Sequence, residues 1–316
     1  MGGSAFFGGA IMSTKKLQPA RPADLKQGKY SDGGPLDEVQ YLECKLILKP
    51  DRFTAAKTFF EYGKLVARTA KDDFGIDFVN EDVVLKPQIR EVLFLDTADF
   101  QLYNHAFILR RRMSYEDGFP TGEPEIVFKF RHPDMQKAAE LDVRPKIAGN
   151  YRIKFKAEAL PLKDQAGGYR LLFSHNVQFP LSQAPEGDRT SMGTLARVFP
   201  PLAALKASDT DMVELVNQTV VEEVLQDLGE LDFGKGVTAN SNIAIWRERG
   251  THHALCGEFA FQAKFKRRDE LHEKAMDRCR QFFVALQQSG RDWLSLGTTK
   301  TGLVYRLKGN PPQSHE

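Results

Sequence analysis

Between Val39 and Leu48 the apolar residues Leu42, Cys44, Leu46 and Leu48 alternate with Tyr41, Glu43, Lys45 and Ile47, and this period of two predicts a strand. The same grammar predicts strands at Gln88–Leu95, His105–Met113, Pro124–Arg131, Ala138–Ile147 and Tyr151–Leu160, and later at Thr219–Leu228, Ser241–Glu248 and Ala254–Lys266. Apolar residues at helical spacing predict a helix capped by Asp51 and running to about Ala70, and another over Asp269–Gln288. A shorter helix is expected over Thr190–Val198, broken by Pro200 and Pro201 and resuming to about Lys206. The Gly- and Pro-punctuated stretch near 164–188 reads as a surface insertion with a short strand at Tyr169–Phe173.

Nearly every predicted strand has one apolar and one ionic face. Arg110 and Arg112 share a face, Lys129 and Arg131 oppose Ile126, Phe128 and Phe130, and Arg152, Lys154, Lys156 and Glu158 alternate with Ile153 and Phe155. A solvated outer face would explain this pattern in an antiparallel sheet. If instead the helices cover the apolar faces, a closed sheet turns the ionic faces inward. Buried cations without partners cost several kcal/mol each, so such an interior needs carboxylates, water and an anion. Phosphate is the anion best matched to guanidinium forks and lysine point charges.

Composition narrows the choice. The 316 residues carry 44 Lys+Arg against 42 Asp+Glu, a formal +2. That balance excludes a generally basic exterior for duplex nucleic acid or a membrane surface. In Arg110-Arg111-Arg112 strand alternation sends Arg111 to the opposite face and splits that basic run. No apolar run approaches the roughly 18 residues of a membrane helix, so a soluble protein is expected. The three cysteines, Cys44, Cys256 and Cys279, form no metal knuckle or disulfide framework and fit buried thiols in the cytoplasm. Residues 1–36 are expected to be a disordered arm, of which Met1–Ile11 reads as an upstream extension, and residues 311–316 a disordered tail. The arm has no basic leader, and Phe6 stands where myristoylation wants Ser or Thr.

Several segments together resemble the CYTH, or triphosphate tunnel metalloenzyme, superfamily. Leu42-Glu43-Cys44-Lys45 is similar to the end of its E-x-E-x-K signature, and Phe94 to Leu102 followed by Leu109-Arg110-Arg111-Arg112 to its Y-F-D-T-x-D-x-x-L … L-R-x-R segment. Phe128 to Arg131, Glu140 to Arg144, Glu258 to Lys264 and Thr299-Lys300-Thr301-Gly302 fall where that family has its later basic, acidic and closing motifs. The resemblance spans about Glu38 to Leu307. It implies an α+β fold whose tunnel domain, over 37–310, is an eight-stranded antiparallel barrel with helices outside. It further implies binding of tripolyphosphate, a nucleoside triphosphate or thiamine triphosphate, with Mg²⁺ or Mn²⁺ assisting hydrolysis. Carried over by position, Lys45, Arg110, Arg112, Lys129, Arg131, Arg144, Lys264 and Lys300 would hold phosphates. Glu43, Glu140 and Asp142 would take catalytic roles, and Glu43 and Glu258 would hold metal. Tyr41, Ala260 and Gln262 stand where the family usually has carboxylates, so the basic half of the motif set survives better than the acidic half. That asymmetry favours anion binding over turnover. The alternatives are a catalytically reduced sensor or scaffold and an adenylate cyclase of the same fold.

Other motifs are weaker. Gly229 to Gly236 is nearly a phosphate loop, but Gly236 replaces its hydroxyl residue and no helix follows, so a turn is expected. His252, His253 and His272 lack partners at ligand spacing and read as surface histidines. No serine nucleophile elbow is present.

Overall fold

The computed structural model describes residues 28–81, 83–184 and 190–309. The expected tail, most of the expected arm and part of the expected insertion lie outside them. The chain divides into two units, Met1–Leu36 and Asp37–Glu316. In the first, residues 28–36 make a tight hairpin with a bridge between Lys29 and Pro35 and a bond from Leu36 N to Gly28 O of 2.9 Å.

The second unit runs β1 (Tyr41–Leu48), α1 (Lys57–Arg68), β2 (Asp77–Val79), β3 (Gln88–Asp96), α2 (Gln101–Asn104), β4 (Phe107–Glu116), β5 (Phe119–His132) and α3 (Met135–Glu140). It continues with β6 (Arg152–Pro161), β7 (Tyr169–Pro180), β8 (Thr190–Ser191), α4 (Met192–Val198), β9 (Met212–Asp232), β10 (Thr238–Glu248), β11 (Ala254–Lys264), α5 (Glu273–Ser289) and α6 (Lys300–Tyr305). Strands pair in the order β10-β11-β1-β6-β7-β5-β4-β3-β9, and β9 pairs back onto β10 to close a barrel, with β2 and β8 outside it. Among the described residues nine strands therefore form the barrel, not the expected eight, and the sheet is mixed because β1 runs parallel to β6.

Two segments depart from the expected strand set. The stretch read as an insertion supplies β7, a 12-residue strand between β5 and β6. The stretch read as a strand at Ala138–Ile147 is not one. Asp134 accepts from Gln136 N and Lys137 N at 2.8 and 3.1 Å and starts α3, and Pro145 removes a ladder donor downstream. The alternation there is real, but it lays a buried Val143 against the outer core while Lys146 N bonds Val198 O of α4 at 2.8 Å. Asp51 also fails as a helix cap: it sits in a short 3₁₀ turn, and α1 starts at Lys57 without a side-chain cap.

Period-two alternation packs the outward apolar residues into two clusters. Cys44, Leu46 and Leu48 of β1 and Phe259 and Phe261 of β11 meet Phe59, Tyr62 and Val66 of α1 and Phe282 and Phe283 of α5. Leu109, Phe128 and Val177 meet Leu195 and Val198 of α4. At Gly257 the approach is so close that a Cβ would fall 2.1 Å from the Phe53 ring, which reserves the position for glycine. All three cysteines are buried and free, and no helix among the described residues is long and apolar enough to cross a membrane. The Gly229–Gly236 segment ends β9 and forms the hairpin turn to β10, with positive φ at Gly234, Lys235 and Gly236. His252, His253 and His272 are exposed, and His272 caps α5.

A third cluster closes one end of the barrel. Phe94, Ile108 and Trp246 pack there with Val304 and Tyr305 of α6. Asp96, 1% exposed, accepts from Thr97 N, Leu102 N, Tyr103 N and the Tyr305 hydroxyl at 2.8–3.0 Å. Burial pushes its pKa up to about 6, so at neutral pH it is the anion that four donors require. Asn217, with φ of 52° in a break of the β3–β9 register, donates to Val304 O and Tyr305 O at 2.7 and 3.1 Å. Asp96→Asn keeps the shape but turns an amide NH₂ towards backbone donors. We expect a loss of about 2 kcal/mol in urea unfolding; an unchanged midpoint would show that Asp96 does not secure α6.

Candidate functional site

The inward positions of the barrel strands line a cavity of about 310 Å³, at the lower end of the roughly 300–1,000 Å³ typical of ligand pockets. Strand parity decides which residues face it. On β1 the inward set is Glu43, Lys45 and Ile47; on β11 it is Glu258, Ala260 and Gln262; on β6 it is Lys154, Lys156, Glu158 and Leu160. Arg90, Arg110, Arg112, Lys129, Arg131 and Glu223 complete the ionic lining from the remaining strands, and Thr299, Lys300 and Thr301 at the start of α6 line it at the closed end. Among the described residues nine cations thus face four carboxylates, a formal surplus of five positive charges inside a chain whose formal net charge is +2.

The carboxylates are shared among the cations. Glu158, 1% exposed, lies 2.9 Å from Lys129 Nζ, 3.1 Å from Lys45 Nζ and 3.3 Å from the Arg131 guanidinium. Lys45 Nζ also reaches Glu43 at 2.8 Å, and Lys156 Nζ lies 3.3 Å from both Glu43 oxygens and 2.7 Å from Gln262 Oε1. Lys300 Nζ bridges Glu258 at 2.6 Å and Glu223 at 3.3 Å and lies 4.3 Å from the centre of the Trp246 ring. Glu223 further pairs with Arg90 at 2.6 Å and accepts from Trp246 Nε1 at 2.8 Å. Arg110 and Lys154 have no ion-pair partner among the described residues, and Arg110 Nε has no hydrogen-bond acceptor.

Titration behaviour follows from this sharing. Burial alone would push the Glu43 carboxyl up, but the ammonium groups of Lys45 and Lys156 hold it down to about 2. Glu223 is likewise held down to about 2, its burial outweighed by Lys300 and Arg90. The cations show the opposite strain. Burial, with Arg131 beside it, pushes Lys129 well below the usual lysine range although Glu158 opposes the shift. Burial and Arg112 bring Arg110 down to about 9, and burial with Arg152 and Lys156 brings Lys154 down to about 8. Two positive charges about 6 Å apart repel by about 3 kcal/mol at an effective dielectric of 20, so each unpaired cation is a standing cost that an entering anion relieves.

The sequence-predicted residues separate into two groups. Lys45, Arg110, Arg112, Lys129, Arg131, Lys300, Glu43 and Glu258 all line the cavity. Lys264 is exposed at the open end with Nζ 5.9 Å from the Tyr41 ring. Glu140, Asp142 and Arg144 lie outside the barrel: Glu140 is exposed and accepts from Gln136 Nε2 at 2.9 Å, and Arg144 donates to both Asp142 oxygens at 2.7 and 2.6 Å. Their expected roles rested on the strand that α3 and Pro145 prevent. Five ionic lining residues were not singled out as site residues: Arg90, Lys154, Lys156, Glu158 and Glu223. Their parity was available for β6, where Lys154, Lys156 and Glu158 alternate with apolar residues. For Glu223 it was hidden by the Glu222-Glu223 doublet.

A divalent metal is the group that the resemblance implies, and the donor set does not fit it. Among the described residues no three His, Cys, Asp or Glu side chains come together as ligands. Glu43 is engaged by two lysine ammonium groups and Glu258 by a third, while Ala260 and Gln262 supply no anionic oxygen.

No family model matches the chain, and no curated protein matches it. Among solved structures it is similar to a protein from Hippeastrum assigned as an adenylyl cyclase with a dominant triphosphatase activity, at 12% identity over 86% of this chain and 98% of that one, with a TM-score of 0.39. It is also similar to a Bacillus halodurans protein assigned as an adenylate cyclase, at 9% identity over 83% and 95% of the two chains and a TM-score of 0.38. A protein from Pyrococcus horikoshii matches at 11% identity over 85% and 99%, with a TM-score of 0.35.

Proposed function

We propose that this protein binds a small linear polyphosphate-type anion in its barrel: tripolyphosphate, or the triphosphate tail of a nucleoside or thiamine triphosphate. One observation carries the reading, namely nine inward cations against four carboxylates, with Arg110 and Lys154 lacking any ion-pair partner among the described residues. Phosphate oxygens would accept from the Arg110 and Arg112 guanidinium groups bidentately and from the lysines as point charges. Because α6 packs across one end, the anion enters from the end carrying Arg112 and Lys154, and any nucleoside or thiazole stays at that mouth.

Binding without turnover is the form of this proposal that the side chains support best. An attacking water needs a free base, and each inward carboxylate is already engaged by lysine or arginine. Three buried free thiols support a reducing compartment such as the cytoplasm.

Tripolyphosphate is expected to raise the melting temperature, with a stabilisation of about 2.7 kcal/mol at a hundredfold excess over Kd. Arg110→Ala should weaken binding at least tenfold while leaving the unliganded protein as stable or more so, since it removes an uncompensated buried charge. Absence of any shift with tripolyphosphate, ATP and thiamine triphosphate alike would refute the binding reading. Steady release of phosphate, pyrophosphate or cyclic nucleotide would replace it with an enzyme.

The pH dependence has a definite sign. Lys154 loses its charge as pH rises through about 8, so anion affinity falls between pH 7 and 9. In the empty protein the same lysine opposes folding while charged, and that opposition is relieved between about 8 and the ordinary 10.5, so unliganded stability rises over that window. Lys154→Met should flatten both trends; an affinity independent of pH across 7–9 in the wild type would contradict this assignment.

A further inference from the structure

The lysine ammonium groups stand where a cation would be expected. The β1–β11 register sets Glu43 opposite Gln262, and the β1–β6 register sets Glu43 opposite Glu158 and Tyr41 opposite Lys156. Lys156 Nζ therefore ends among three oxygen atoms, both of Glu43 and one of Gln262, and 5.7 Å from the Tyr41 ring. Lys45 Nζ bridges Glu43 to Glu158, and Lys300 Nζ bridges Glu258 to Glu223, so all four inward carboxylates are tied in pairs by covalently attached ammonium groups. A divalent ion at Glu43 or Glu258 would have to expel a lysine from its carboxylate. It would also enter a cavity that already holds five surplus positive charges.

We infer that the cavity takes its polyanion free of divalent metal, with Lys45, Lys156 and Lys300 supplying from within the charge that Mg²⁺ or Mn²⁺ would otherwise supply, and that Mg²⁺ in solution competes with the protein for the ligand. This rests on the proposed anion binding and specifies its ligand: the triphosphate uncomplexed by metal. A magnesium complex brings two fewer negative charges to the same set of cations, so it has less to gain from them. It also arrives with a hydrated hard cation that finds no free carboxylate among the described lining residues.

The test is calorimetric titration of the full chain with sodium tripolyphosphate at pH 7 and constant ionic strength, once with a chelator and once with Mg²⁺ in excess over the ligand. Binding in chelator, weakened at least tenfold by Mg²⁺, is the expected result. Binding that needs Mg²⁺, tightens in it or is unaffected by it overturns the inference and leaves anion binding standing. Absence of binding in both conditions overturns the anion-binding reading itself, and the inference with it. Two further measurements bear on the lysines. Mn²⁺ added alone should keep its free-ion electron paramagnetic resonance signal in the presence of wild-type protein, and a stoichiometric loss of signal that Glu43→Gln abolishes would overturn the inference. Lys156→Met, if folded by circular dichroism, should weaken binding in chelator at least tenfold; unchanged affinity would show that Lys156 supplies none of the required charge.

Discussion

Like charges confined by rigid strands are the constraint on which this structure turns. Among the described residues nine cations face one cavity with four carboxylates to share, and no arrangement of those side chains brings them to neutrality. Glu158 alone serves three of them, and Lys129 is still pushed well below the ordinary lysine range. A sheet that could open or slip would let the cations swing into water. Closure of β9 onto β10 removes that escape and keeps the lysines and arginines converging on one volume.

Everything outside the cavity holds that convergence in place. The outward apolar faces of the strands bury against α1 and α5 on one side and α4 on another, so a one-residue slip in register would move a charged set into the core. Asp96 ties the turn after β3 to Tyr305, and Tyr305 stacks on Tyr103 at 4.1 Å, which fixes α6 across the barrel end. Lys300, on the first turn of that helix, then reaches two carboxylates from different strands. Stability and site are thus linked through one buried carboxylate that touches no ligand.

Much of this was legible in the sequence because strand parity is local. Lys45, Arg110, Arg112, Lys129 and Arg131 were assigned to one face by alternation, and they share the cavity. The expected roles of Glu140, Asp142 and Arg144 were lost because alternation is not pairing. The 138–147 segment has the period of a strand, but Asp134 starts a helix before it, Pro145 interrupts it, and Val143 finds its burial outside the barrel. The converse error shortened β7: the surrounding glycines and prolines suggested a surface insertion with only a short strand at Tyr169–Phe173, whereas the strand runs to Pro180 and buries Leu172, Ser174 and His175. Which carboxylate meets which cation was beyond reach, since Lys129 on β5 and Glu158 on β6 belong to strands separated by β7 and meet only across the barrel interior.

The central claim is that the barrel interior is a site for a metal-free polyanion. A crystal structure of the full chain grown with tripolyphosphate and a chelator addresses it most directly. The account predicts phosphate density inside the barrel within hydrogen-bond reach of Arg110 and Lys154, with Lys45 and Lys156 still on Glu43. Phosphate seated only on the exterior, or a metal ion held by Glu43 and Glu258 in place of those lysines, would contradict it.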